Sequence, residues 1–310
     1  MPSRTNTALA SVWIALSSIF FVLYAYPIFE INTKVRLFLT TGKLEHRAFD
    51  QDGLPVSHSP VVGEFRSPFY VVHYGLQYSD HLRSRNPQYR GLHWREDPSH
   101  AQWNVPRDVS EEPSFERYFY ATANWLVENL DTRFGAAHYV YTFDWPYKGF
   151  PSGQLKAPWW SGLTDGYAIL LLLRAHEHFG EQRFLTTASR LYNSVILQIE
   201  KGGSWSELDG SPWIEEYVDP RFQSNQLSYV FNGMVYATYG IEAYEALTLP
   251  STKFAKSLYE SIFMNAIRFD LAGWSSYDLL GNSNNIKYHL IHAALIKDLN
   301  DRFPDLATAE

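Results

Sequence analysis

The sequence predicts a mainly α protein: an α/α toroid, or incomplete ring of antiparallel helix pairs, with aromatic β-hairpins and a small irregular or β N-terminal region. Three observations carry this. From Ser114 onward, apolar residues recur at helical spacing in one segment after another. Several of these segments are apolar nearly all round, as the inner helices of a layered array are. Between helices stand aromatic-rich turns, with Asp209-Gly210 placed between two such arms as a hairpin turn is.

The elements follow in order. Residues 1–30 hold "ALASVWIALSSIFFVLYAY", Ala8 to Tyr26, which is 19 residues without a charge. As a helix it would span about 28 Å, close to the hydrocarbon thickness of a bilayer. It is expected to be an uncleaved single-pass anchor, with a cleaved signal peptide as the alternative, because the run is long for a signal peptide and no small-x-small site ends it. The catalytic part is then expected outside the cytoplasm, periplasmic or lumenal. Residues 31–113 read as an irregular or β region, in which "PFYVVHYGL" is expected as strand or buried turn. Residues 114–310 form the helical domain. Helices are expected over Ser114 to about Asp131, from Ser161 to Gly180, and from Glu181 to Gly202-Gly203. Others are expected around Leu227–Leu247, Thr252–Arg268 and Ile286–Leu299.

Composition narrows the function. The net charge is −7, so a nucleic-acid partner is not expected, since phosphate binding needs a basic surface. The absence of cysteine excludes disulfides and thiolate metal sites. The 21 Tyr, 20 Phe and 10 Trp point weakly to sugar handling, because rings stack on sugar faces. Against the acidic average, "HLRSRNPQYRGLHWR" carries Arg83, Arg85, Arg90 and Arg95 without an acid. It reads as a solvated loop or as one wall of a groove for a polyanion.

Three clusters could do chemistry. In "WIEEYVDP", Glu215 and Glu216 stand between Trp213 and Tyr217, and a ring-walled carboxylate has its pKa raised by poor hydration. On a strand the two would point to opposite faces. "SSYDLLGN" holds Tyr277 and Asp278. "KYHLIH" holds Lys287, Tyr288, His289 and His292, with Tyr288 and His292 on one helix face at i, i+4. The two histidines are expected to bond backbone or tyrosine rather than a metal, since no further ligand set accompanies them. No nucleophile elbow, P-loop or dinucleotide fingerprint is present, so no cofactor is expected. Acid–base chemistry by carboxylate and phenol remains.

These motifs, in this order, resemble the D-glucuronyl C5-epimerases. "WIEEYV…SYVFNGMVYATYGI" is similar to that family's W-Y-E-E-Y-P followed by V-L-N-G-F, and "WWSGLTDGYAI" to its W-Y-S-A-M-A-Q-G-Q-A-I. "YDL" at Tyr277, "YHLIH" at Tyr288 and "YGLQYS" at Tyr74 match its Y-D-L, Y-H-x-x-H and Y-G-L-x-x-Y-S. The resemblance implies epimerisation at C5 of glucuronate within a heparosan-type chain, with Glu216 and Tyr288 as the acid–base pair. It implies that Tyr217 and Tyr277 line the site, and Tyr74 is added as a substrate-binding candidate. Asn232, Lys287, His289 and the run containing Arg83 and Arg85 are candidates to stabilise charge on the substrate. Expected partners are an acidic polysaccharide, the membrane through the N-terminal helix, and a second copy of the chain. Two departures stand out: Leu280 replaces the arginine that the family has three residues after the Y-D-L tyrosine, and residues 80–113 are too short for the β-sandwich of the animal enzymes. A polysaccharide lyase, which begins with the same proton abstraction, is the enzymatic alternative. A tethered polysaccharide-binding protein with a relict site is the non-enzymatic one.

If the hairpin strand ran through Glu216, Glu215 and Tyr217 would share the face opposite to it. A backbone irregularity over Tyr217–Pro220 is therefore expected, to let Glu216 and Tyr217 meet one site.

Overall fold

The computed structural model describes residues 48–59, 62–99, 112–132, 135–150, 153–221 and 227–307. The apolar run Ala8–Tyr26 lies outside these residues. Among the described residues no helix is long and apolar enough to cross a membrane.

The chain is mainly α, with short strands between helices. Strands β1 (Ala48–Phe49), β2 (Pro55–Ser59) and β3 (Gly63–Phe65) form a small antiparallel sheet in that order, with Ala48 opposite Val56 and Ser57 opposite Phe65. The next segment departs from the sequence expectation: "PFYVVHYGL" opens helix α1 (Pro68–Arg85). Its Val and Tyr residues favour strands on local propensity, but Pro68 suits a first helical turn and Val71, Val72, Leu76, Tyr78 and Leu82 are buried. α1 packs on α2 (Glu112–Glu128) and α3 (Gly162–Phe179), so it belongs to the helical array and not to a separate N-terminal region.

α3 begins at Ser161, whose hydroxyl accepts from the Thr164 amide, and ends at Gly180 in the left-handed region, as its sequence predicts. α4 (Gln182–Val195) stops earlier than its periodicity suggests. The Leu197 carbonyl is taken by the Trp205 amide at 3.0 Å, so the chain leaves the helix to start a hairpin. That hairpin, β8 (Trp205–Leu208) and β9 (Ser211–Ile214), turns at Asp209 and Gly210, both with positive φ. α5 (Phe231–Thr248), α6 (Phe254–Asn265) and α7 (Ile286–Arg302) complete the set.

α3 and α5 are buried over most of their length and pack on each other. They approach so closely that a Cβ on Gly166 would lie 2.6 Å from Ala237 Cα, and one on Gly240 would lie 1.8 Å from the Gly166 carbonyl. Glycine is therefore required at that crossing. Consecutive helices also pair: α1 with α2, α3 with α4, α5 with α6.

The arginine-rich run is tied into this array. The last turn of α1 holds Arg83 and Arg85, where cations meet the negative end of the helix dipole. Arg83 pairs with Glu96 at 2.7 Å and Asp80 at 3.5 Å, and Arg95 pairs with Asp298 of α7. Buried Arg174 of α3 donates to the carbonyls of Leu76, His93 and Arg95, to Ser79 and to Asp80. Arg95 thus ties the segment to α7, while Arg85 and Arg90 are exposed.

Candidate functional site

The strand carrying the paired carboxylates ends at Ile214, one residue before them. The Glu215 carbonyl accepts from the Gly162 amide at 3.1 Å, and Val218 pairs with Trp160 through two 3.0 Å bonds. Between these anchors the backbone bends at Glu216. The expected irregularity is therefore present but centred earlier, on Glu216 itself and not on Tyr217–Pro220. It removes strict alternation, so Glu216 and Tyr217 can meet one cluster.

The two carboxylates differ completely in their partners. Glu215 is fully buried. Its Oε1 accepts from the Ser206 hydroxyl at 3.1 Å, and its Oε2 from the amides of Ser228 (3.2 Å) and Tyr229 (3.0 Å) and the Ser228 hydroxyl (3.2 Å). It ties the hairpin to the segment before α5, where Tyr229 has φ of +51°. Glu216 is also buried, but only its Oε1 is bonded, by the Tyr277 hydroxyl at 3.0 Å. Oε2 has no hydrogen-bond partner among the described residues. It lies against Gly233, where a Cβ would come within 2.5 Å. Burial pushes both carboxyls up to about 7 from an ordinary 4.5. For Glu216 the phenols of Tyr217 and Tyr277 oppose this, while the neighbouring Asp278 and Glu215 carboxylates add to it.

The wall around Glu216 is phenolic. The Tyr277 hydrogen is given to Glu216, so the Tyr217 hydroxyl, 2.9 Å from the Tyr277 oxygen, is the donor of that pair. Burial, and next the Glu216 charge, push both phenols well above their usual range. Tyr288 stands in the first turn of α7, its amide capped by the Asn285 side chain at 3.1 Å. Its half-buried ring meets the Tyr277 ring edge-on, with centroids 5.2 Å apart, and Lys287 Nζ lies 5.9 Å from its own centroid. Tyr277 thus connects Glu216 to Tyr288. Trp213, expected as a second wall, instead stacks on Phe269.

Other candidates divide. Asn232, in the first turn of α5, is buried and its Oδ1 lies 3.3 Å from His292 Nε2. His289 bonds the Ser275 hydroxyl at 2.9 Å and stacks on Trp274 at 4.2 Å. The histidines therefore take hydroxyl and amide partners where backbone or tyrosine was expected. Tyr74 is 1% exposed in the core, with ring contacts to Phe49 and His73. Tyr74, Arg83 and Arg85 are not among the residues clustered on Tyr217 and Tyr277. Among the described residues no group of three or more His, Asp or Glu side chains could hold a metal.

Sequence reasoning missed the other half of the site. Tyr141, Tyr147, Phe150, Leu155 and Trp159 form a buried cluster on which Phe143, Trp145, Tyr217, Tyr277 and Leu280 pack. The signal was present, since aromatic residues occupy every second position from Tyr139 to Tyr147. This stretch makes β4 (Val140–Tyr141) and β5 (Trp145–Pro146), paired to β7 (Trp159–Trp160) and β6 (Gln154–Leu155). The Tyr147 hydroxyl donates to Asp278 at 2.6 Å. Asp278 also accepts from the Leu280 and Asn282 amides and the Asn282 side chain, so its carboxylate is occupied in holding the Tyr277 loop. Leu280, at the position of the family's arginine, packs into this aromatic cluster.

On this mainly α scaffold a buried, half-satisfied carboxylate thus stands among phenols. Residues 135–307 match the D-glucuronyl C5-epimerase C-terminus family, and the chain belongs to it. It is 28% identical over 202 residues to a D-glucuronyl C5-epimerase of Caenorhabditis elegans, covering 58% of this chain and 31% of that protein. It is also 28% identical over 149 residues to an uncharacterized protein of Methanocaldococcus jannaschii, covering 46% of this chain and 47% of that one. The chain spans less than half the length of either relative.

Proposed function

We propose that this chain is a uronyl C5-epimerase that converts D-glucuronate to L-iduronate residues in a heparosan-like polysaccharide, using no cofactor. The observation that carries the reading is the buried Oε2 of Glu216, unpartnered among the described residues, on a carboxyl pushed up to about 7. A C5 hydrogen lies α to a carboxylate, and its removal builds a second negative charge beside the first. Three functions are needed: a base on one face, an acid on the other, and donors for the developing enediolate. Glu216 is the base whose free lone pair meets the hydrogen, and Tyr288 returns a proton from the opposite face. The roles exchange in the reverse direction. Tyr277 holds Glu216 by a hydrogen bond, Tyr217 in turn donates to Tyr277, and Asn232 supplies a neutral donor to the substrate carboxylate. Arg83, paired with Glu96 and Asp80, drops out of this role. The helical array is read as part of an α/α toroid. Ala8–Tyr26 is read as the membrane anchor of a domain outside the cytoplasm.

Incubation of the protein with heparosan in D₂O is expected to place deuterium at C5 and yield iduronate. Folded protein that does neither overturns the reading for that polymer, and absorbance from an unsaturated uronate identifies a lyase instead. Tyr288→Phe is expected to lower epimerisation roughly 10²–10⁴-fold, the usual worth of a general acid–base group.

Gly233→Ala tests the packing behind the base. The new methyl would meet Glu216 Oε2 at 2.5 Å and its Cβ at 2.7 Å, so the carboxylate must move. Misplacing a catalytic group by ~1 Å costs on the order of 10²-fold. Turnover should fall by about that factor while circular dichroism shows the helices intact.

A further inference from the structure

The buried polar chain behind Asn232 has a direction that its end fixes. Asn284 Nδ2 lies 3.2 Å from the Ser276 carbonyl, 2.7 Å from the Ser275 hydroxyl and 3.1 Å from His292 Nδ1. A backbone carbonyl only accepts, so the Asn284 amide must present its nitrogen there; flipping it would set two acceptor oxygens face to face. The same nitrogen faces His292 Nδ1, which must then accept. A neutral imidazole with an accepting Nδ1 carries its hydrogen on Nε2. That hydrogen points to Asn232 Oδ1 at 3.3 Å. The Asn232 amide is thereby oriented in its turn: oxygen toward His292, NH₂ away from it. Among the described residues that NH₂ has no hydrogen-bond partner. Asn232 directly precedes Gly233, the residue against which Glu216 Oε2 rests.

We propose that His292 is a positioning residue, which through the relay Ser276–Asn284–His292 holds the Asn232 amide with its NH₂ presented to the carboxylate of a uronate bound at Glu216. The role rests on the epimerase reading for its substrate, though not for its geometry. Burial supports a fixed tautomer: His292 is 2% exposed, and desolvation pushes its pKa down to about 3, so the ring stays neutral across the working range. An imidazolium here would need acceptors on both nitrogens, and Nδ1 faces a donor. Neutrality matters because Nε2–H and Nδ1 must keep opposite roles for the relay to have one direction. Without the histidine, Asn232 is free to turn its oxygen toward the substrate, where an acceptor would repel a carboxylate.

The test uses the full chain labelled with ¹⁵N-histidine, the His292 signals being those missing from His292→Gln. The expected spectrum is a neutral ring, protonated on Nε2, that does not titrate between pH 5 and pH 9. An Nδ1-protonated or titrating His292 overturns the proposal whatever reaction the protein performs. Kinetics on heparosan form the second arm. His292→Phe is expected to raise KM about tenfold, the worth of one misoriented neutral hydrogen bond, with the pH profile of turnover unchanged. His292→Gln, whose Nε2 can reach the Asn232 oxygen as a donor, should recover most of that loss even if both variants melt at lower temperature. Equal loss in the two variants, tracking their melting temperatures, would mean a purely structural histidine and overturn the proposal. Wild-type protein with no C5 exchange overturns the reaction assigned under the proposed function, and the tautomer measurement keeps the two failures apart.

Discussion

Glu216→Gln is expected to abolish most turnover and to make the protein more stable above neutral pH. The loss should be on the order of 10²–10⁴-fold in C5 exchange, because an amide cannot take the proton. The gain follows from the same burial that makes the carboxyl a usable base. Its folded-state pKa of about 7 stands above the ordinary 4.5, so the folded protein binds this proton more tightly than the unfolded chain does. Stability from that proton is fully present at acid pH and is lost as pH rises from about 4.5 through 7. At pH 8 the wild type has lost about 3 kcal/mol through this group, an upper bound set by the shift. Gln, always neutral, does not lose it. Melting temperatures measured from pH 5 to pH 9 should converge at the acid end and separate at the alkaline end, with the variant higher. A variant less stable than wild type at pH 8 would contradict the account of Glu216 as an undersatisfied buried charge. The acid limb of the wild-type rate profile should fall with a midpoint near pH 7, because the base must be deprotonated to act.

Glu215→Leu is expected to do the opposite to stability, although both carboxyls are pushed to the same value. Glu215 is surrounded by donors: two backbone amides and two hydroxyls. The hydroxyls can rotate to other acceptors, but the amides of Ser228 and Tyr229 cannot. Each buried donor left unpaired costs about 1–3 kcal/mol, so the total is roughly 2–6 kcal/mol. Tyr229 adds to this, since its left-handed backbone conformation is held in part by that bond. Chemical denaturation should show the loss directly. Activity should fall with the folded fraction, because Glu215 holds the segment that presents Glu216 and does not itself open to the site. The two variants together separate the carboxylate proposed as the base from one that holds the fold.

Much of this was legible along the chain. Apolar periodicity located the helices from residue 114 onward, because each must bury a stripe at its own period whatever it packs against. Ser161 and Gly180 marked the ends of α3, and Asp209-Gly210 the turn between β8 and β9, because caps and tight turns are set by local stereochemistry. Ordered motifs pointed to Glu216, Tyr217, Tyr277 and Tyr288, and the fold brings these four into one cluster. Local propensity failed at Pro68–Leu76, where packing on α2 and α3 makes a helix of residues that favour strands.

What the sequence by itself determined is therefore the mainly α class, the local ends and turns, and the residue types available for acid–base work. Only the tertiary structure decided which carboxylate keeps an empty lone pair. Glu215 is satisfied by Ser206, Ser228 and Tyr229, and Glu216 is half satisfied by Tyr277, 61 residues away in the chain. It also decided that Arg83 is spent on Glu96 and Asp80, and that Asp278 serves its own loop. The physical reason is common to all of these: a pKa, a free acceptor or a paired charge is a property of surroundings, and those surroundings are assembled from distant segments.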